Sequence, residues 1–207
     1  MKNFTLSLLI FAGFLTSCVG GQLNSAYIYE KNPQYSWGYA EFYGAYYGNY
    51  GNKNNVLSVS LFTDSLKVNG IGSLVGIGQY LFLQDIFVSP TDTLLPVGTY
   101  IVSNSGLPFT VAPGKNDTVD SQIYPIGAEI SYYEENAARS TTKLISSGSF
   151  IVSRLGSVYN IYCNFKTSDS LELNGQFIAE LPHYDQSIAT TKSTIRRKLE
   201  FALKKFN

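Results

Sequence analysis

The stretch Val158-Tyr159-Asn160-Ile161-Tyr162-Cys163-Asn164-Phe165-Lys166 decides the fold class. Tyr159, Ile161, Cys163 and Phe165 alternate with Asn160, Tyr162, Asn164 and Lys166, and a period of two with one apolar face marks a strand half open to water. Leu155-Gly156-Ser157 ahead of it reads as the turn of a hairpin from Ser149–Arg154, and Thr167-Ser168-Asp169-Ser170 as the next turn. Leu171, Leu173, Phe177 and Leu181 continue the alternation, so the three segments form a meander. Cys163, sharing parity with Ile161 and Phe165, is expected as a small buried hydrophobe.

Working outward, the same habit recurs. Strands are expected near residues 38–47, 56–63, 80–88, 99–103, 109–111, 127–133 and 142–146, separated by Asn52-Lys53-Asn54-Asn55, Pro90, Pro96, Pro113-Gly114 and Asn136. A train of short strands has to close on itself or split into two layers to manage its edges. The expectation is an all-β domain over residues 37–183, a single antiparallel β-barrel of about 8–10 strands, with a two-sheet β-sandwich as the alternative. Val59–Leu66 and Asn164–Leu171 echo one another as strand, then a Thr-Asp-Ser or Thr-Ser-Asp-Ser turn, then Leu. With 44% hydrophobic and 14% charged residues, the composition supports a real core.

The ends break the pattern. Met1-Lys2, the apolar run Phe4 to Phe14 and Leu15-Thr16-Ser17-Cys18 make a secretory signal over residues 1–17, too short to span a bilayer. Leu-Thr-Ser-Cys resembles the lipobox of bacterial lipoproteins, which implies acylation of Cys18 and a membrane-tethered chain with residues 18–36 as lipidated N-terminus and linker. The lipoprotein resemblance further implies, from the lack of Asp after Cys18, an outer-membrane destination and, from the lack of an acidic cluster, one facing the periplasm. At the other end, Ile188, Ile195, Leu199, Ala202 and Phe206 fall on one side of a basic amphipathic helix expected over residues 184–207. Residues 18–185 carry 8 Lys+Arg against 14 Asp+Glu, and residues 186–207 carry 6 against 1. A mildly acidic body argues against nucleic-acid binding. A barrel followed by a helix is similar to the lipocalin or calycin plan, in which the barrel mouth holds a small apolar ligand, although Ser36-Trp37-Gly38 reverses the order of that plan's opening Gly-x-Trp element.

Catalysis is approached by elimination. His183, the only histidine, lies in Leu181-Pro182-His183-Tyr184 with no acid or nucleophile spaced as its partner, and reads as a solvated turn residue. One histidine and two cysteines do not make the usual zinc site, and Glu134-Glu135 on a strand would point to opposite faces. The glycines at 70, 72, 76 and 78 precede a strand with no helix after it, so they are no phosphate loop. No catalytic residue, metal ligand or cofactor is expected. The best candidate for recognition chemistry is residues 37–50, where Trp37, Tyr39, Tyr43, Tyr46 and Tyr47 interleave with glycine and suit sugar-ring stacking or protein contacts; the competing reading is ordinary strand aromatics closing a barrel, with glycines easing its curvature.

One further pattern stands out. Asp64-Ser65-Leu66, Asp92-Thr93-Leu94, Asp117-Thr118-Val119 and Asp169-Ser170-Leu171 resemble the O-glycosylation acceptor of exported Bacteroidota proteins, which implies modification at Ser65, Thr93, Thr118 and Ser170; Asx-turn chemistry is the competing origin. The combined expectation is a non-enzymatic outer-membrane lipoprotein whose barrel binds a glycan or a small apolar ligand, or else serves as a structural or accessory subunit of an envelope complex.

Overall fold

A computed structural model of the chain describes residues 27–70, 73–119, 121–135 and 139–187. The strands are β1 (Gln34–Gly44), β2 (Asn55–Thr63), β3 (Leu66–Val68), β4 (Leu74–Val88), β5 (Gly98–Val102), β6 (Thr110–Val111), β7 (Lys115–Val119), β8 (Gln122–Ile126), β9 (Ala128–Glu134), β10 (Arg139–Leu155), β11 (Val158–Thr167), β12 (Glu172–Leu173), β13 (Gln176–Glu180) and β14 (His183–Asp185). Among the described residues there is no α-helix; a 3-10 turn stands at Gly48–Tyr50.

The strands close into a barrel. The circuit β1-β2-β4-β6-β5-β10-β11-β13 returns to β1 and contains eight strands. A shorter bridge between β4 and β10 runs through β9, because both long strands divide their edges. The first part of β4 pairs with β9 and its end with β6, while β10 pairs first with β9 and then with β5. Gly148, at φ +113°, lies between these two stretches of β10 and packs tightly on β11, where a Cβ would sit 2.2 Å from the Asn164 carbonyl.

The expected antiparallel ladder is corrected along β1, which β13 and then β14 join in parallel, and at β5 against β6, also parallel. Parity explains it. The circuit through β9 has seven strands, and a closed ring of purely antiparallel neighbours needs an even number, so one seam has to run parallel. The meander holds as expected, β11 alternating exposed and buried along its whole length and joined to β10 by a two-residue turn at Gly156-Ser157.

Inward side chains fill the barrel. Tyr100, Phe150, Phe165, Phe177, Leu57, Leu61 and Ile130 are fully buried in one continuous cluster, with Cys163 among them as expected. Burying a large side chain of this kind contributes roughly 1.5–3 kcal/mol. At the C-terminal end, Tyr184 and Asp185 extend β14 along β1 instead of starting a helix, because the edge of β1 beyond β13 offers them backbone partners. The rest of the expected tail helix, with Ile188, Ile195, Leu199 and Phe206, lies outside the described residues, as does Cys18.

Candidate functional site

Residues 27–36, read in the sequence as linker, carry the core residues Tyr29 and Tyr35 and close one end of the barrel. Gln79 holds them there. Its buried carboxamide accepts the Glu30 N–H at 3.0 Å and donates to the Glu30 carbonyl at 3.1 Å, standing in for a strand partner. The Tyr27 ring stacks on Tyr132 at 3.5 Å between centroids and meets Tyr29 edge-on at 5.0 Å. Tyr29 donates its hydroxyl to the Thr141 carbonyl at 2.7 Å, and burial pushes its phenol up to about 12.

Beside these rings lies a cleft of about 540 Å³, within the size range of small-molecule sites. Lys143 lies 5.4 Å from the Tyr29 centroid and pairs with Asp169 across the cleft. That contact, with a 2.5 Å hydrogen bond donated by Thr167 Oγ1, holds the Asp169 carboxyl below its usual range. Asn116 from the β7–β8 hairpin, Thr141 and Ser168 complete the polar lining. Two aromatic faces, a carboxylate, an ammonium, a carboxamide and hydroxyls therefore converge on one open space. Such a set can stack on a sugar ring and exchange hydrogen bonds with its hydroxyls.

A second cleft, of about 170 Å³, lies on the other side of that hairpin. Tyr47, Phe87, Asp85, Ser103, Asn104 and Lys115 line it. The Tyr47 hydroxyl donates to the Asp85 carboxylate. Asp85 sits at φ +58° where β4 bulges away from β2, the kind of irregularity that re-aims a side chain. Gly127, at φ +84°, forms the base of the hairpin, where a Cβ would meet the Pro113 carbonyl at 2.2 Å.

The structure divides the aromatic tract. Trp37 and Tyr39 pack on the outer face of the barrel, where Trp37 stacks on Phe62 at 4.0 Å and donates Nε1–H to the Leu66 carbonyl at 2.6 Å, beside Leu74, Tyr80 and Tyr133. Tyr43 donates to Glu41 at 2.8 Å, Tyr46 meets Tyr43 and Tyr47 edge-on, and Tyr47 alone of the five lines a cleft described above. Sequence reasoning missed Tyr27, Tyr29, Asn116 and Lys143; the Tyr27-x-Tyr29 pair next to the linker is the signal that could have found the first two.

The remaining candidates take structural places. His183 is half-buried and bonded at both nitrogens, which corrects the solvated reading. Nε2 accepts the Leu95 N–H at 3.1 Å, so Nδ1 carries the proton and donates to the Leu181 carbonyl at 2.8 Å, and burial lowers its pKa. Glu134 accepts from Tyr132 and Glu135 from the Gly76 N–H, so the adjacent carboxylates serve separate partners. Glu129, outward on β9, is the exceptional carboxyl: it is buried, its Oε2 has no hydrogen-bond partner, and desolvation raises its pKa to about 7. Among the described residues no group of three or more His, Cys, Asp or Glu could hold a metal ion. Ser65, Thr93, Thr118 and Ser170 are all exposed, in the β2–β3 turn, the β4–β5 loop, strand β7 and the β11–β12 turn.

No known family model, curated protein or solved structure matches the chain.

Proposed function

We propose that the protein is a lipid-anchored, non-catalytic barrel that binds a glycan in the Tyr27–Tyr29 cleft. The observation that carries this reading is the convergence of Tyr27, Tyr29, Asn116, Thr141, Lys143 and Asp169 on a space of about 540 Å³. Its chemistry suits a ligand with apolar ring faces and a hydroxyl rim. The filled interior leaves the small apolar ligand of a calycin-like mouth less supported than a sugar on the surface of that end.

The tether favours the same end. Cys18 precedes Tyr27 by nine residues, a span of at most about 30 Å when extended, so acylation would hold the cleft near the outer-membrane surface on the periplasmic side. Exposure of all four acceptor residues supports O-glycosylation at Ser65, Thr93, Thr118 and Ser170. Two experiments test the reading. Binding to an array of immobilised oligosaccharides, lost in Tyr27→Ala, supports the glycan site, and no binding to any member overturns it. Metabolic palmitate labelling that disappears in Cys18→Ser supports the anchor, and persistent label overturns it.

The second reading, an accessory subunit of an envelope complex, draws on an exposed apolar diagonal of Ile101, Ile151, Tyr162 and Ile178 across β5, β10, β11 and β13. Photo-crosslinking from position 162 to one defined envelope protein would favour it.

A further inference from the structure

The two clefts flank one wall and share a set of chemical groups. On one side of the β7–β8 hairpin stand Tyr29, Asp169, Lys143, Asn116 and Ser168; on the other stand Tyr47, Asp85, Lys115, Asn104 and Ser103. Both clefts include a phenol, a carboxylate, an ammonium, a carboxamide and a hydroxyl; the larger adds Tyr27, Thr141 and Thr142, and the smaller adds Phe87. The wall itself alternates, because neighbours on a strand point to opposite faces. Lys115 and its partner Ile126 line the smaller cleft, and Asn116 and its partner Pro125 line the larger. The carboxylates come from unrelated places, a bulge in β4 and the turn after β11, so the likeness does not descend from a shared sequence unit.

From this we infer that the clefts are two subsites for one oligosaccharide, whose repeating units occupy both sides of the hairpin. This rests on the glycan reading and names its ligand class: a chain of sugars, not a single sugar. A repeating ligand is what a shared set of groups recognises, since each unit presents the same ring face and hydroxyls to those groups. The hairpin is the part on which both subsites depend. A lone two-stranded ribbon has little stability of its own, and a chain held on both of its faces orders it.

The full-length protein in detergent is the sample, and the probe is an oligosaccharide series that binds on the array, used as its disaccharide and as a longer member in titration calorimetry. The expected result is two disaccharides bound per protein but one longer chain, the longer chain binding about tenfold or more tightly because its second contact is intramolecular. Lys115→Ala, at an exposed position with the melting temperature as a control, should remove that gain and one disaccharide, and Lys143→Ala should do the same from the other side. Two longer chains per protein would overturn the inference by making the clefts independent. A single disaccharide with Lys115→Ala silent would overturn it while leaving the glycan reading intact. An array with no binding series would overturn both.

Discussion

The two halves of the barrel wall differ on their outer faces. On β5, β10, β11 and β13 the side chains that point away from the core are open to water, with Ile101, Ile151, Tyr162 and Ile178 between 45% and 58% exposed. On β2, β4 and β9 the outward side chains are covered, Ser58, Ser60, Phe62, Phe82, Glu129, Ser131 and Tyr133 all being under 9% exposed, and on β1 Trp37, Tyr39, Glu41 and Tyr43 are half-buried. The first half is a one-sided sheet and the second is two-sided. In the second half the outward layer is an aromatic cluster around Phe62 with hydroxyl groups and one carboxyl beside it, so polar groups there need partners instead of water. Glu129, with an unpartnered Oε2, is where that demand goes unmet.

Adjacent residues give the largest test of this difference. On the open half, Phe177→Ala should cost roughly 3–5 kcal/mol, whereas Ile178→Ala next to it should stay within about 0.5 kcal/mol. On the covered half, Leu61→Ala and Phe62→Ala should both cost at least roughly 2 kcal/mol, since each fills a packed cluster. Chemical denaturation of the four variants checks it, and a cheap Phe62→Ala would make the two halves alike.

Glu129 sharpens the comparison through pH. Its folded pKa of about 7 lies above its ordinary 4.5, so the folded protein holds a proton that the unfolded chain has released. Its contribution is therefore present in full below pH 4.5 and is lost as the pH rises through about 7. Glu129→Gln should flatten melting temperature against pH in that window and stabilise the protein above it, by on the order of 1–3 kcal/mol. An unchanged slope would show that water reaches Glu129 and that the outer layer is open.

His183 runs the other way, because a lowered pKa makes protonation oppose folding: its contribution is present above 6.5 and is lost as the pH falls. His183→Ala, which strands the Leu95 N–H and the Leu181 carbonyl, should cost about 1–2 kcal/mol at neutral pH and less in acid, by the same denaturation series. The smallest effect is expected at Asn164→Asp on the open half, within about 0.5 kcal/mol, against several kcal/mol for Cys163→Asp beside it.

The same contrast governs what the sequence could disclose. Strand β11 was legible because one of its faces meets water, so polarity and burial coincide from Val158 to Thr167. Strand β2 was legible as a strand, yet Ser58 and Ser60 gave no sign of being covered, since a serine suits either environment. Closure through the parallel β1–β13 seam was not legible, because alternation encodes a face and not a partner's direction. Short β3, β7, β8 and β14 carry too few residues to show a period. The echo between Val59–Leu66 and Asn164–Leu171 corresponds to structure only in part: each is a strand end and an exposed turn holding Ser65 or Ser170, but β12 returns along β11 while β3 pairs with β4. Of the cleft, only Asp169 was singled out, and for another reason. Tyr29, Lys143 and Asn116 meet through long-range pairing of β9, β10 and the β7–β8 hairpin, which no local spacing records.

The central claim is that recognition takes place at the barrel end closed by Tyr27 and Tyr29, and not on the aromatic outer face of Trp37 and Tyr39. The most direct measurement is amide chemical-shift mapping of the protein during titration with an oligosaccharide that binds on the array. The account predicts shifts gathered at Tyr27–Glu30, Thr141–Leu144 and Ser168–Asp169 and, for a chain long enough to reach across the hairpin, at Lys115–Asn116 and Ser103–Asn104, with Trp37, Tyr39 and Phe62 unmoved. Shifts confined to Trp37, Tyr39 and Phe62, with the barrel end silent, would contradict it.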